Sequence, residues 1–425
     1  MSQIPKQAVL LIHGIGEQRP MDTLRGFVDT VWKRNPEVHH PYATTGVFSK
    51  PDDISGSFEL RRLTTTQDRN GVRTDFFEFY WAHMMEDTTM GHVLPWLRHL
   101  LLRRPGSLPR ALQSAWWVLS GMVLIAAFFG LLTVLPEAWR FWHLPKWISG
   151  AVGLLATLAL APVLKKFVGD AARYLTPLPV NIHRRQEIRA KGVEVLNKLH
   201  ASGDYQRIIL AGHSLGSVIG YDILTHAWPA YAAQLPSQTH PVLDQVEALV
   251  HESPLDIDAF QQGQAALGHE LRANGCPWLV TDFITMGSPL THAEVLMAKD
   301  REDLESKQAE RELPTCPPQL EASHFSYPAA SKMRRLHYAA VFGPTRWSNV
   351  YFPARAIVHG DIVGGPLQGV FGRGIRDCPV TTTLWGGFLS HTNYWTPESK
   401  QTTGKHVQVL QYVMNLLNEE RVSQL

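Results

Sequence analysis

"RIILAGHSLGSVIG", Arg207 to Gly220, is the stretch on which the fold turns. An apolar run stops at Gly212, Ser214 sits inside a small-residue turn, and a second apolar segment begins after Gly216. Apolar run, tight turn and second run read as a buried strand feeding a helix. A G-x-S-x-G match is weak alone. Gly and Ser each make up roughly 7% of ordinary chains, so about one chain in seven of this length carries such a match by accident. The reading therefore depends on what surrounds the turn.

Outward from the turn, strands and helices alternate. "AVLLIHG" (8–14) is a short apolar run ended by glycine, and "DTLRGFVDTVWKR" (22–34) has helical spacing. "FELRRLTTT" and "RTDFFEFYW" flank "QDRNG", which reads as a hairpin turn. "RRQEIRAKGVEVLNKLHAS" (184–202) is an amphipathic helix and "WLVTDFITMGSPL" (278–290) a buried strand with a Gly-Ser-Pro turn. "WSNVYFPARAIV" (347–358) is strand-like, and "HVQVLQYVMNLLNEE" (406–420) is a helix. This alternation predicts an α/β fold with a mainly parallel central sheet flanked by helices. The charged run at 291–313 reads as an exposed helix or a flexible excursion, and whether it forms a lid is open.

Composition narrows the function classes. The chain has 425 residues, a net charge of +2 and 18% charged residues, too mild a basic balance for nucleic-acid binding. The three cysteines, Cys276, Cys316 and Cys378, form neither a disulfide framework nor a zinc motif, which fits a reducing compartment. The opening "MSQIPKQAVLLIHGIGEQ" lacks the long apolar core of a secretory signal, so a cytoplasmic N-terminus is expected.

The apolar residues are concentrated. Ala115 to Leu135 contains no charge and, as a helix, reaches roughly 30 Å, the hydrocarbon thickness of a bilayer. Trp147 to Leu164 is a second uncharged run. Trp116, Trp117, Trp139, Trp142 and Trp147 cluster at the run ends, where indoles favour the interface. Arg98, Arg103, Arg104 and Arg110 precede the pair, and Lys165, Lys166 and Arg173 follow it. The positive-inside rule then places both outer flanks in the cytoplasm and the 136–146 loop outside. The expected organisation is an N-terminal part of the α/β domain (1–90), a membrane insertion (91–180) with transmembrane helices at about 115–135 and 147–164, and a C-terminal part of the α/β domain (181–425). The expected location is a bacterial inner or a plasma membrane, with the α/β domain facing the cytoplasm. The 92–106 segment reads either as a basic amphipathic surface helix or as a loop with a short core helix.

A serine hydroxyl needs a base, a group that orients the base, and donors for an oxyanion. In its order of landmarks the chain resembles the α/β-hydrolase superfamily, in its lipase and serine-esterase branch. "LLIHGIGEQ" is similar to that family's early strand with its His-Gly oxyanion turn, "GHSLGSVIGYDIL" to its nucleophile elbow, and "ITMGSPL" to the turn after the next core strand. Within the superfamily the chain resembles serine esterases related to glycosylphosphatidylinositol deacylases. The resemblance covers most of the chain but not the membrane insertion.

The resemblance implies Ser214 as nucleophile, with the backbone N–H groups of Ile15 and Leu215 as oxyanion donors. It also implies the chain order Ser, acid, His. Asp361 in "AIVHGDIVGG" follows an apolar strand and fits the acid; Asp256 in "SPLDID" is its main competitor. Asp256 and Asp258 read as helix-start residues, and Asp282 precedes the core of its strand. His391 in "GFLSHTNYW" fits the base. His359 is too near Asp361, and His406 opens the last helix and is expected at the surface. His13 is expected to shape its turn, and His213 to pack beside the site.

The expected activity is hydrolysis of carboxylic esters through an acyl-enzyme, with no metal and no cofactor. The membrane anchor points to lipid or amphiphilic substrates, with the bilayer as partner. Two alternatives stay open: a membrane-anchored esterase or thioesterase acting on soluble acyl groups, and a non-catalytic membrane scaffold on a hydrolase fold. Oligomeric state is open.

Overall fold

The computed structural model describes residues 4–14, 19–39, 46–85, 110–134, 179–237, 239–328, 333–354, 359–384, 390–399 and 402–417, with isolated positions elsewhere. The chain divides into two compact units, one of residues 1–81 and 186–425 and the other of residues 82–185.

The first unit is built on one eight-stranded sheet. Its strands are β1 (Lys6–Ile12), β2 (Val47–Pro51), β3 (Arg61–Thr65), β4 (Arg73–Phe79), β5 (Arg207–His213) and β6 (Val280–Met286). After a two-stranded ribbon, β7 (Ser326–Tyr327) and β8 (Arg335–Leu336), come β9 (Arg346–Tyr351) and β10 (Arg376–Pro379). The sheet order is β10-β9-β6-β5-β1-β4-β3-β2. All pairs from β10 through β4 are parallel, and β3 and β2 add an antiparallel edge. The sheet is therefore mostly parallel, as the alternating pattern predicts.

Burial follows position in the sheet. β5 and β6 are buried at every residue, as expected of central strands with both faces covered. β2 is exposed along nearly its whole length, and its lack of a buried face explains why no strand pattern marks it in the sequence. The β3–β4 hairpin closes at the "QDRNG" turn, where the Asp68 carboxylate accepts from the Asn70 and Val72 N–H groups at 2.8 and 3.0 Å.

Flanking helices include α1 (Asp22–Val28), α3 (Pro179–Ala201), α4 (Leu215–Ala232), α5 (Pro241–Val250), α6 (Ile257–Ala273), α7 (Arg301–Ala309) and α8 (Lys405–Met414); α2 is Arg110–Val134 of the second unit. On one side of the sheet, Val9, Leu11, Ile209, Ala211, Ile284 and Met286 pack with α1 and α8. In the charged 291–313 run, α7 carries the i,i+4 pair Arg301–Glu305 at 2.7 Å.

The strand order reverses about β1. From β1 the chain goes to β4 on one side and later to β5 on the other. Such a switch point opens a crevice at the carboxyl ends of the strands. Gly14 follows β1 and Ser214 follows β5, so both lie at that crevice.

In the second unit, α2 is 25 residues long, about 37 Å. It packs antiparallel against residues 150–155: a Cβ on Gly153 would lie 3.4 Å from the Gly130 nitrogen, and one on Gly150 would lie 3.6 Å from Thr133. Trp117, Leu124, Phe128, Leu131 and Val134 of α2 are exposed, as are Leu154 and Leu155. Among the described residues, no helix is long and apolar enough to cross a membrane. Several α2 side chains fall outside the description, as do the 136–146 loop, residues 156–164 and nearly all of 92–106.

Candidate active site

The Ser214 turn is forced by close packing. β5 ends at His213 and α4 begins at Leu215, leaving Ser214 alone to reverse the chain. It does so at φ 53°, ψ −130°, a region a non-glycine residue rarely adopts. The neighbouring glycines make room. A Cβ on Gly216 would lie 2.2 Å from the Ile12 carbonyl oxygen, and one on Gly212 would lie 2.6 Å from the Ser217 Cα. Behind the turn, the Ser217 hydroxyl donates to the Ser214 carbonyl at 2.6 Å and meets the Ser288 hydroxyl at 2.7 Å.

Three distant segments meet at this serine. The Ser214 hydroxyl lies 2.9 Å from His391 Nε2, and His391 Nδ1 lies 2.9 Å from Asp361 Oδ2. With Nδ1–H donating to the carboxylate, Nε2 presents its lone pair to the hydroxyl. His391 is one-fifth exposed and Asp361 is fully enclosed. Burial alone would raise the Asp361 pKa. The adjacent His391, the Tyr394 hydroxyl and the Gly364 N–H outweigh it and hold the carboxyl at about 2.

Further hydrogen bonds fix the carboxylate. Oδ1 accepts from the Val363 N–H at 2.8 Å, while Oδ2 accepts from the Tyr394 hydroxyl at 2.7 Å as well as from His391. Gly287, in the turn after β6, lies against the pair at φ +58°. A Cβ there would stand 2.8 Å from Asp361 Oδ2 and 3.1 Å from His391 Nδ1.

The other candidates lie elsewhere. Asp256 caps α6, accepting from the Asp258 and Ala259 N–H groups at 2.9 and 3.1 Å. Asp282 sits near the amino end of β6, where it pairs with Arg207 at 2.5 Å and Arg346 at 2.8 Å. His406 is fully buried, and its Nε2 donates to the Thr396 carbonyl at 2.9 Å. The expectation of a surface position is therefore corrected: the residue anchors the segment that follows His391.

For the oxyanion, Leu215 is the first residue of α4, and the first N–H groups of a helix have no intrahelical acceptor. Ile15 lies outside the described residues. Its neighbour Gly14 is in place, with a Cβ position 2.8 Å from the Ser214 Cβ. His13 is buried in the turn. Its Nδ1–H donates to the Gly14 carbonyl at 2.8 Å, its Nε2 accepts from the Trp81 N–H at 3.3 Å, and its ring stacks on the Trp81 indole.

Two buried histidines lie beside the site: His213, where packing beside the site was expected, and His292, which the sequence reading did not single out. His213 Nε2–H donates to the His391 carbonyl at 2.8 Å, and His292 Nε2–H donates to the Ile362 carbonyl at 3.1 Å. Burial pushes their pKa values down to about 3 and about 4, so both rings are neutral at pH 7. Tyr394 was missed too, although one helical turn separates it from His391 in "SHTNYW".

Among the described residues, no group of three or more His, Cys, Asp or Glu side chains is placed to hold a metal ion. Comparison of the chain with family profiles, with curated proteins and with solved structures gives no match.

Proposed function

We propose that this protein is a serine hydrolase of the α/β-hydrolase type that cleaves carboxylic esters. The observation that carries the reading is the unbroken contact line from Ser214 through His391 to Asp361, with 2.9 Å at each step, on a strained strand-to-helix turn. Strain of this kind is kept where a side chain must be presented for chemistry.

In the first step, His391 Nε2 takes the Ser214 proton while Oγ attacks the ester carbonyl carbon. The Leu215 N–H, with that of Ile15, stabilises the oxyanion. As the tetrahedral intermediate collapses, the C–O bond to the alcohol breaks and His391 returns the proton to that alcohol. Water then enters. His391 accepts its proton, the hydroxide oxygen attacks the acyl carbon, and the acid leaves as Ser214 regains its hydrogen. Asp361 holds the Nδ1–H tautomer and stabilises the transient imidazolium.

We propose further that residues 82–185 anchor the enzyme to a membrane, with the catalytic unit on the cytoplasmic side and lipid or amphiphilic esters as substrates. Support comes from the uncharged stretch 115–135, the exposed apolar side chains of α2 and the glycine-mediated packing against residues 150–155. Small residues at helix contacts suit packing in lipid, where backbones approach closely.

Labelling with a fluorophosphonate probe tests the chemistry. Wild type labels and Ser214→Ala does not; equal labelling, or none in wild type, rules the hydrolase out. A chain-length series of esters in matched detergent tests the substrate class. Long-chain esters turn over faster than acetate esters if the reading holds.

A further inference from the structure

His391 comes from a loop, the short turn Ser390–Thr392, and not from a strand. A base carried on a loop needs anchoring to hold its geometry to a fraction of an ångström. Its side chain is held by Asp361. Its backbone is held from a different place: the His213 ring, on the last residue of the central strand β5, donates Nε2–H to the His391 carbonyl at 2.8 Å.

We infer that His213 is a positioning residue, which sets the His391 backbone from the same strand end that carries the nucleophile. The inference rests on the hydrolase reading above. The geometry excludes the bland role of a ring that only fills space. His213 lies with its centroid 5.1 Å from the His391 ring and edge-on to Trp395 at 4.9 Å. Trp395 is itself fixed, because its carbonyl accepts from the Thr30 hydroxyl at 2.7 Å. The base segment is thus pinned at three successive places, by β5, by Asp361 and by the π-helical turn Asp29–Lys33 that follows α1.

The geometry also excludes His213 as a second base. Its Nε2 carries the proton given to the carbonyl, and the ring is nearly fully enclosed. Enclosure keeps it neutral, as the chemistry requires. A second cation 5 Å from His391 would oppose formation of the imidazolium in the first step. The groups facing the ring are the His391 ring and carbonyl, the Asp361 carboxylate and the buried His13, with Tyr394 and Trp395 as aromatic walls.

The test compares His213→Gln, which keeps an N–H donor at about the reach of Nε2, with His213→Asn and His213→Phe, which do not. The readouts are fluorophosphonate labelling rate and ester kcat and KM on the full chain. Asn and Phe lower kcat and labelling about 10- to 100-fold at unchanged KM, the scale expected for displacing a reacting group by less than an ångström. Gln recovers most of the loss. A variant set that all labels at the wild-type rate overturns the positioning role and leaves the hydrolase reading standing. A wild type that does not label overturns both. If the variants do not fold, the wild type supplies the answer through ¹⁵N histidine spectra. Nε2–H neutral imidazole at His213, persisting down to pH 5, is expected. The Nδ1–H tautomer, or protonation above pH 5, overturns the inference.

Discussion

The Tyr394 hydroxyl and His391 Nδ1 share one oxygen, Asp361 Oδ2, at 2.7 and 2.9 Å. The carboxylate is thereby locked in rotation, with its other oxygen on the Val363 N–H. Tyr394→Phe removes one charge-assisted bond, on the order of 1.5–3 kcal/mol. The expected result is a fall in kcat of about tenfold or more, with KM unchanged. Wild-type kcat in the variant would show that the remaining contacts suffice to hold the carboxylate.

Ser214, His391 and Asp361 are expected to act as one unit. Ser214→Ala, His391→Ala and the double variant should then fall to the same residual rate, roughly 10⁶-fold down. Asp361→Asn should cost about 10⁴-fold, because the amide no longer selects the Nδ1–H tautomer. Additive losses in the double variant would mean that the two groups work independently.

The elbow glycines carry a stability prediction. Gly216→Ala places a methyl 2.2 Å from the Ile12 carbonyl oxygen, so β1 and α4 must separate. Overpacking costs about 1–3 kcal/mol, and more where rigid backbone must move. The variant should melt well below wild type, and it should lose labelling by the active-site probe in the fraction that remains folded.

Glu78 gives a pH prediction. It is buried near the carboxyl end of β4, where Oε2 accepts from the Met21 N–H at 2.8 Å and Oε1 has no partner among the described residues. Burial raises its pKa from 4.5 to about 7. The folded state therefore binds the proton more tightly than the unfolded state. The stability this contributes is complete below pH 4.5 and is lost as the pH rises through 7. Glu78→Gln removes that dependence. Relative to wild type, the variant should gain up to about 3 kcal/mol between pH 4.5 and pH 8. Urea melts across that range check it; a difference that does not vary with pH refutes it.

The membrane proposal has its own measurement. A cysteine placed in the 136–146 loop should react with an impermeant reagent added outside the cell, while a cysteine at an exposed position of α7 should react only after lysis. Removal of residues 82–185 should release the catalytic unit from the membrane fraction. A chain that partitions into the soluble fraction with the insertion intact would end the proposal.

What the sequence carried well was the centre of the sheet. β1 and β5 carry continuous apolar runs (8–12 and 208–211) because both faces are covered, β6 is likewise buried at every residue, and each leads into a glycine-containing turn. Ser214, Asp361 and His391 were legible because each follows such a run or a Gly-rich segment in a fixed order. The edges were not. β2 buries no face, and β10 is four residues ending in proline, too short for any alternation to register. The supports of the site were equally hidden, for a different reason. The bonds of His213 and His292 go to backbone carbonyls, which carry no residue type, so no pairing of side chains in the sequence could suggest them. His406 was misplaced for the same cause: its partner is the Thr396 carbonyl.

The pairing of β1 with both β4 and β5 bears on the order of synthesis. Lys6 meets Arg73, and its neighbour Gln7 meets Arg207. A ribosome completes one flank of the sheet before it reaches the apolar insertion, while Ser214, Asp361 and His391 all emerge after it. The growing chain therefore holds β1 with an open hydrogen-bonding edge until β5 arrives. If the proposed chemistry holds, no nascent intermediate can carry it out before the insertion has been made, and activity requires a chain whose proposed anchor has already been synthesised.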